Sequence, residues 1–466
     1  MSNSTRKRRS QSQREGASTS SDWETILALL PKDLDVLARQ CGAFCRSREV
    51  RSPAVLLRLL FLWVLCGFGL RSVAAWAARS GIASLTEGAL RHRFKQCEAW
   101  LTALLAGVLD GWLDVSGGGA RMRLVDASML AIPGPSGKSW RVHAVYDPLR
   151  SRLVEVELTD EKGGEKLSRA AHSAGDLVVA DRGLAHGRGL TDITSRNCWF
   201  IVRAYLPNLV LFGSDGVRLD PTRIMEQASA GIKEHNVVLA HKKLRLPVRL
   251  VTIPLPADKA EVARKKLRRR AAKKQRVPDA LSLQMAGFLF LLTTLPYEVA
   301  DVDSVLMWYR VRWQVELYFK RIKSILNLHV IQSCDPRMVK AFIMAILLVA
   351  SVIDRLNGTR PVAAETPEDI VAVEQIDGTE VAAASLWRLT QIHRMDMILA
   401  VAGGVPLVHR LRERDKATKA IKERPRRRQT LATSGQIKGI SSRVTGLNRA
   451  PGVKKPKSLL CEAEAA

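Results

Sequence analysis

The run Leu177-Val178-Val179-Ala180 is wholly apolar and stops at an acid, Asp181. Four apolar residues without polar alternation describe a strand covered on both faces, the kind found in parallel sheets. Upstream the pattern differs. Arg123 to Leu130 is a short β-type run, and Trp140 to Tyr146 alternates. After a turn at Pro148 and Arg150, Leu153 to Leu158 sets Val154, Val156 and Leu158 on one face and Glu155 and Glu157 on the other. These runs predict an antiparallel meander with one covered face, and Lys166 to Ala174 a helix leading into the buried strand.

Three meander strands, a helix and a buried fourth strand follow the order of ribonuclease-H-like α/β cores, so 120–198 is expected to be the first part of such a core. Strand-like runs return at Trp199 to Val202, Asn236 to Ala240, Val248 to Ile253 and Gly287 to Thr293, with a very basic helix among them. Residues 199–298 therefore read as a β-rich insertion and 299–335 as the return of the core. Helices follow over 336–412, interrupted by an acidic loop around Glu365 to Glu380, and a basic tail closes the chain at 413–466. On the N-terminal side, Ser116-Gly117-Gly118-Gly119 is a linker. Before it, 22–115 is helical throughout, with Ile26, Leu27, Leu30, Leu34 and Leu37 at helical spacing. Breaks near Gly81 and Gly88 suit a helix-turn-helix, and a plain helical bundle fits them as well. Arg91, His92, Arg93 and Lys95 favour a DNA-binding domain. Residues 1–21 are a polar, basic arm.

The 466 residues include 73 Lys plus Arg and 45 Asp plus Glu, so the formal charge is 73 − 45 = +28, with 47% hydrophobic residues. That apolar content excludes a wholly disordered basic chain. The charge calls for a polyanion, either nucleic acid or an anionic membrane surface. Of the most apolar stretches, Ala54 to Leu70 carries Arg58 and Ala341 to Ile353 is short, and neither has the roughly 18–20 uninterrupted apolar residues of a membrane span. Met1 to Ser21 has no apolar signal region. The seven cysteines are scattered, with no zinc-ligand spacing. A reduced cytoplasm is the expected compartment.

Chemistry concentrates in a helix expected over Val302 to Leu328. At about 100° per residue, Tyr309, Arg312, Glu316, Lys320, Lys323 and Asn327 fall within roughly 80° of arc. Trp308, Val311, Val315, Tyr318, Ile322 and Ile325 lie opposite and are expected to face a core. Taken alone, the polar face reads first as a solvated one carrying an i,i+4 Glu316–Lys320 pair. Asp126 within one β-run and Asp181 at the end of another change that balance. An acid ending a buried strand needs a compensating cation or donor. Three carboxylates on one sheet-and-helix core suit an oxygen-liganded Mg²⁺ or Mn²⁺.

The pattern Tyr309-x2-Arg312-x3-Glu316-x6-Lys323 resembles the Tyr-Arg-Glu-Lys signature of DDE transposases of bacterial insertion sequences, the class with a β-strand insertion before the catalytic Glu. Val178-Val179-Ala180-Asp181-Arg182-Gly183 resembles the block around that family's second Asp, and Arg123-Leu124-Val125-Asp126-Ala127-Ser128 the block around its first. The spacings are 181 − 126 = 55 and 316 − 181 = 135. The likeness covers roughly 120–350, with a departure at Leu184, where many relatives have Tyr.

The resemblance implies that Asp126, Asp181 and Glu316 are catalytic and hold two Mg²⁺ (or Mn²⁺) ions about 4 Å apart. It implies that Tyr309, Arg312 and Lys323 contact phosphates near the scissile bond. It further implies a homodimer that binds the terminal inverted repeats of its element, cuts double-stranded DNA at the ends and joins the 3′ ends to target DNA. In relatives a flipped base stacks on an aromatic of the insertion, for which Trp199, Phe288 and Phe290 are candidates; for any single one of them core packing is the favoured explanation. Independently of the resemblance, Arg264 to Arg276 holds nine Lys or Arg in thirteen positions, among them Arg264, Lys265, Arg268, Arg269 and Arg270. Arg410 to Arg428 holds ten in nineteen. Like charge at that density calls for phosphate. Ser136-Gly137-Lys138-Ser139 is not a P-loop, because Ile132 stands where the loop needs Gly. His143, four residues before Asp147, is expected to be a core or hydrogen-bonded side chain. A DNA-binding protein without catalysis and a metal-dependent nuclease without strand transfer are the alternative readings.

Overall fold

The computed structural model describes residues 22–110, 121–134, 139–357 and 378–402. All lie in one compact unit, Met1–Gly403. The N-terminal arm, the glycine linker, the Ser136–Lys138 segment, most of the acidic loop and the basic tail lie outside the described residues.

Nine strands form one mixed sheet in the order β3-β2-β1-β4-β5-β9-β8-β7-β6. The strands β1 (Arg121–Ala131), β2 (Ser139–Asp147) and β3 (Arg152–Asp160) make the antiparallel meander. β4 (Asp176–Ala180) runs parallel to β1, and β5 (Trp199–Arg203) parallel to β4. β4 is central and all five of its residues are buried, as its apolar run predicts. Helix α6 (Gly187–Ser195) joins β4 to β5.

The run Trp199 to Val202, expected within the insertion, thus pairs directly with β4. β9 (Phe288–Thr293) closes antiparallel onto β5 and continues into β8 (Leu244–Pro254), β7 (Lys233–His241) and β6 (Val210–Gly213). Helices α7 (Pro221–Gln227), α8 (Ala257–Ala272) and α9 (Ala280–Met285) fall between these strands. Leu190, Ile193, Phe200, Leu239, Leu250 and Phe290 belong to one buried cluster that runs from β5 into the added strands.

The meander does not have the one bare face expected of it. Lys166 to Ala174, expected to be a helix, contains only a single 3-10 turn at Leu167–Arg169. Its polar groups are bound sideways instead. Glu155 accepts from the Ala171 N–H at 2.9 Å and Glu157 pairs with Arg169 at 2.6 Å. This segment therefore covers the polar side of the edge strand β3, and local helix propensity yields to those tertiary bonds.

Helices flank the sheet in sequence. The N-terminal set is α1 (Leu34–Gln40), α2 (Pro53–Cys66), α3 (Leu70–Arg79), α4 (Glu87–Phe94) and α5 (Glu98–Asp110). α2 begins with Pro53 behind a Ser52 cap and ends at Gly67, whose φ of 62° suits glycine. In α4, Glu87 holds both Arg71 and Arg91, while Lys95 pairs with Asp335. His92 stays exposed.

After the sheet come α10 (Val302–Val311), α11 (Trp313–Ile325), α12 (Pro336–Asn357) and α13 (Gly378–Ala402). α12 outruns the short stretch read from the sequence and is apolar and long enough to cross a bilayer. Here it is a mostly buried core helix packed on α2, α5 and α13. Arg58, the one charge in the apolar stretch of α2, donates to the last carbonyls of α13, Val401 at 2.8 Å and Ala400 at 3.4 Å. Its guanidinium lies 5.8 Å from the Trp23 and Trp76 rings. A cation there complements the negative end of the helix dipole.

Candidate active site

Parallel pairing sets Val125 of β1 opposite Ala180 of β4. The residue after each is an acid, Asp126 within β1 and Asp181 just past the end of β4, so the register sets the two acids side by side. Asp126 accepts from the Ala127 N–H at 2.8 Å. Beyond Asp181 the chain turns tightly, with the Leu184 N–H on the Asp181 carbonyl at 3.0 Å. A Cβ at Gly183 would stand 2.6 Å from a carboxylate oxygen of Glu165, the free end of a side chain that can swing aside. Leu184 is buried in the core cluster.

The single helix expected over Val302 to Leu328 is two, α10 and α11, meeting at Arg312. There the bonds run three residues back, Arg312 N–H to Tyr309 O at 3.1 Å and Val315 N–H to Arg312 O at 3.3 Å. This one-residue tightening leaves the polar face intact. The Tyr309 hydroxyl donates to Asp181 at 3.3 Å. Arg312 pairs with Glu316 at 2.6 Å, its guanidinium 5.7 Å from the Tyr309 ring centre. Lys323 donates to the Met129 carbonyl at 3.4 Å. An open cleft of about 330 Å³ lies between β1 and α11, lined by Asp126, Ser128, Glu316, Lys320 and Lys323.

The structure therefore brings Asp126, Asp181, Glu316, Tyr309, Arg312 and Lys323 to one place. Burial pushes the Asp126 carboxyl up to about 6, with the Ala127 N–H and Arg312 opposing and Glu316 and Asp181 adding to the rise. Burial and then Asp181 raise the Tyr309 phenol to about 12. Burial lowers the Lys323 ammonium, and Asp126 partly offsets this. Among the described residues no three His, Cys, Asp or Glu side chains are gathered tightly enough to hold a metal as they stand. Glu316 is turned to Arg312 and Asp181 to Tyr309.

Residues 117–352 match the family described as transposase DDE domain. The chain is 35% identical over 344 residues to the protein designated transposase InsL of insertion sequence element IS186A from Escherichia coli, covering 72% of this chain and 93% of that one. It is 35% identical over 345 residues to the transposase for insertion sequence element IS421 from Escherichia coli, with the same coverage. With the transposase for IS231E from Bacillus thuringiensis it shares 22% over 274 residues, 51% of this chain and 57% of that one. The chain belongs to the DDE transposase family. It is an enzyme of DNA cleavage and strand transfer.

In this transposase the basic residues Arg264, Lys265, Arg268, Arg269 and Arg270 lie on α8, apart from the acids. Arg264 and Arg268 reach Glu261, and Arg264 also donates to the Leu283 carbonyl at 3.3 Å. Lys265, Arg269 and Arg270 are exposed. Strand register gives α8 its place. Val202, level with Ala180, pairs with Leu292, while Pro254 pairs with Phe288 farther along in the same direction. β8 thus ends, and α8 starts, at the edge of the sheet where β4 delivers Asp181.

The same register separates the three aromatics. Trp199 opens β5 opposite Leu177, at the end away from the acids. Phe288 and Phe290 begin β9 at the near end, stacked on one another at 6.1 Å, with Phe290 buried in the core. His143 is bonded to Thr159 at 2.9 Å, and burial lowers it to about 4. One basic residue escaped the sequence reading. Arg203 ends β5 as Asp181 follows β4, close enough to Tyr309 to lower its phenol. The only sign in the sequence is a single Arg closing the apolar run Trp199-Phe200-Ile201-Val202.

Proposed function

We propose that Asp126, Asp181 and Glu316 are the catalytic carboxylates of an insertion-sequence transposase with a ribonuclease-H-like core. The observation that carries the reading is the arrival of two acids at neighbouring positions of parallel strands beneath a third on α11. The strand order β3-β2-β1-β4-β5, with three antiparallel strands and two parallel ones, supports the core assignment.

The donor set fits divalent metal, which the family uses. All three side chains offer oxygen, and Asp126 is an acid whose ionisation is penalised by burial and by two neighbouring carboxylates. Mg²⁺ or Mn²⁺ would be held by Asp126 and Asp181, joined by Glu316 once it leaves Arg312. Held there, a divalent ion would supply Lewis acidity, lowering the pKa of an attacking water or DNA 3′-OH and offsetting charge on the leaving 3′ oxygen.

The chain's own groups do the rest. Tyr309 orients Asp181 through its hydroxyl. Arg312, exchanging Glu316 for a phosphate, offers a two-pronged donor, and Lys323 adds a point charge at the far side of the cleft. The exposed cations of α8 bind the backbone of double-stranded DNA leading into the site, at transposon ends with terminal inverted repeats and then at target DNA. The working form is a homodimer in the cytoplasm, associated with DNA.

The test is cleavage of a labelled terminal-repeat fragment in Mg²⁺ by the wild type, Glu316→Gln and Asp181→Asn. Both variants should lose at least about a hundredfold in rate, on the scale of other catalytic groups. Wild-type rates in both would remove the catalytic assignment. Cutting without joining to a plasmid would leave only a nuclease.

A further inference from the structure

Glu316 has its partners at the cleft, but the far side of the same helix is held by a contact the catalytic reading does not use. Arg321 of α11 pairs with Asp354 of α12 at 3.0 Å, and both side chains are nearly inaccessible, at 5% and 7%. The Arg321 guanidinium lies 5.1 Å from the Tyr318 ring, which sits 5.3 Å from the ring of Tyr146 of β2 at a tilt of 44°. Burial pushes the Asp354 carboxyl up to about 6, against the pull of Arg321 and Arg152.

A buried ion pair is weak evidence of stabilisation, because well-packed apolar residues of the same volume often do as well or better. This one is also imperfect. Arg321 Nε and Asp354 Oδ2 have no hydrogen-bond partner among the described residues. What such a pair supplies is direction. Val315, Phe319, Ile322 and Ile325 bury the same helix through apolar contacts, which are less directional than a hydrogen-bonded ion pair, and its N-terminal junction at Arg312 carries no side-chain cap. Five residues separate Glu316 from Arg321, about 7.5 Å along the axis and 140° around it. With a carboxylate about 6 Å from the axis, a 20° rotation of α11 moves it by about 2 Å, beyond the tolerance of a catalytic constellation.

We propose that Arg321 and Asp354 are positioning residues that fix the rotation of α11 and so hold Glu316 over Asp126 and Asp181. The inference rests on the catalytic reading of Glu316. The test uses the full-length protein as wild type, the apolar double variant Arg321→Met/Asp354→Leu, Arg321→Lys, and Glu316→Gln as control. Thermal midpoint, affinity for a terminal-repeat duplex and single-turnover cleavage are measured for each.

The double variant should keep its midpoint within a few degrees and its affinity within about twofold, yet cleave about 10- to 100-fold more slowly, with the loss in the single-turnover rate at saturating protein. Arg321→Lys, which keeps the charge, should recover part of the rate. Cleavage at the wild-type rate by the double variant overturns the proposal. So does a loss of rate matched by equal losses of midpoint and affinity, which marks a merely structural pair. Should the double variant not fold, Arg321→Lys decides: at least fivefold slower cleavage at unchanged midpoint and affinity supports positioning, and wild-type cleavage overturns it. A fully active Glu316→Gln sinks the catalytic reading instead, so the two failures are distinguishable.

Discussion

Asp126 shows most plainly what one residue can report. Its carboxyl rises from 3.8 to about 6 on folding, so between those values the folded protein binds the proton more tightly than the unfolded chain does. Stability from this group is therefore full below about pH 4, falls as pH rises to about 6, and stays lost above. In metal-free buffer at pH 7.5, Asp126→Asn should be more stable than the wild type by about 1–2 kcal/mol, the full shift being discounted for partial exposure. At pH 4 the two should be equal, and urea unfolding at both values checks this. Added Mg²⁺ should stabilise the wild type and do less for the variant. Six of the residues gathered at the cleft were legible in the sequence because strand patterning and helical phase are local. Arg203 and Arg321 were not. Arg321 stands one residue after Lys320 and two before Lys323, and nothing in such a cationic stretch shows which member is buried.

At the scale of elements, the strands were read well and the joints badly. β4 announces itself through burial on both faces. The 3-10 turn at Leu167–Arg169 does not, since Glu155 and Glu157 bind it from another strand. The junction at Arg312 also escaped, because it shifts the helix by a single hydrogen bond and leaves the period readable. Helix α8 carries a prediction of its own. If Lys265, Arg269 and Arg270 each meet a phosphate, replacing all three by Gln should flatten the log–log salt dependence of DNA binding by up to about 2.7. Fluorescence anisotropy across a salt series measures the slope, and an unchanged slope removes α8 from the interface.

Across the whole molecule, a few long cationic side chains tie distant parts together. Arg58 binds the end of α13, and Arg355, beside Asp354, donates to the carbonyls of Leu29 and Val108. Arg58→Met should lower stability by about 1–3 kcal/mol through the orphaned carbonyls, with cleavage per folded molecule unchanged. Thermal unfolding together with an active-site titration tests both halves. The sheet order has a consequence in time. β5 gains its outer neighbour only when β9 is made, 293 − 203 = 90 residues later. At about 5–20 residues per second, a nascent chain exposes the edge Trp199-Phe200-Ile201-Val202 for roughly 5–18 seconds. Glu316 is synthesised later still, so on the proposed catalytic reading a chain stopped before it lacks the third carboxylate while its sheet edge is already covered.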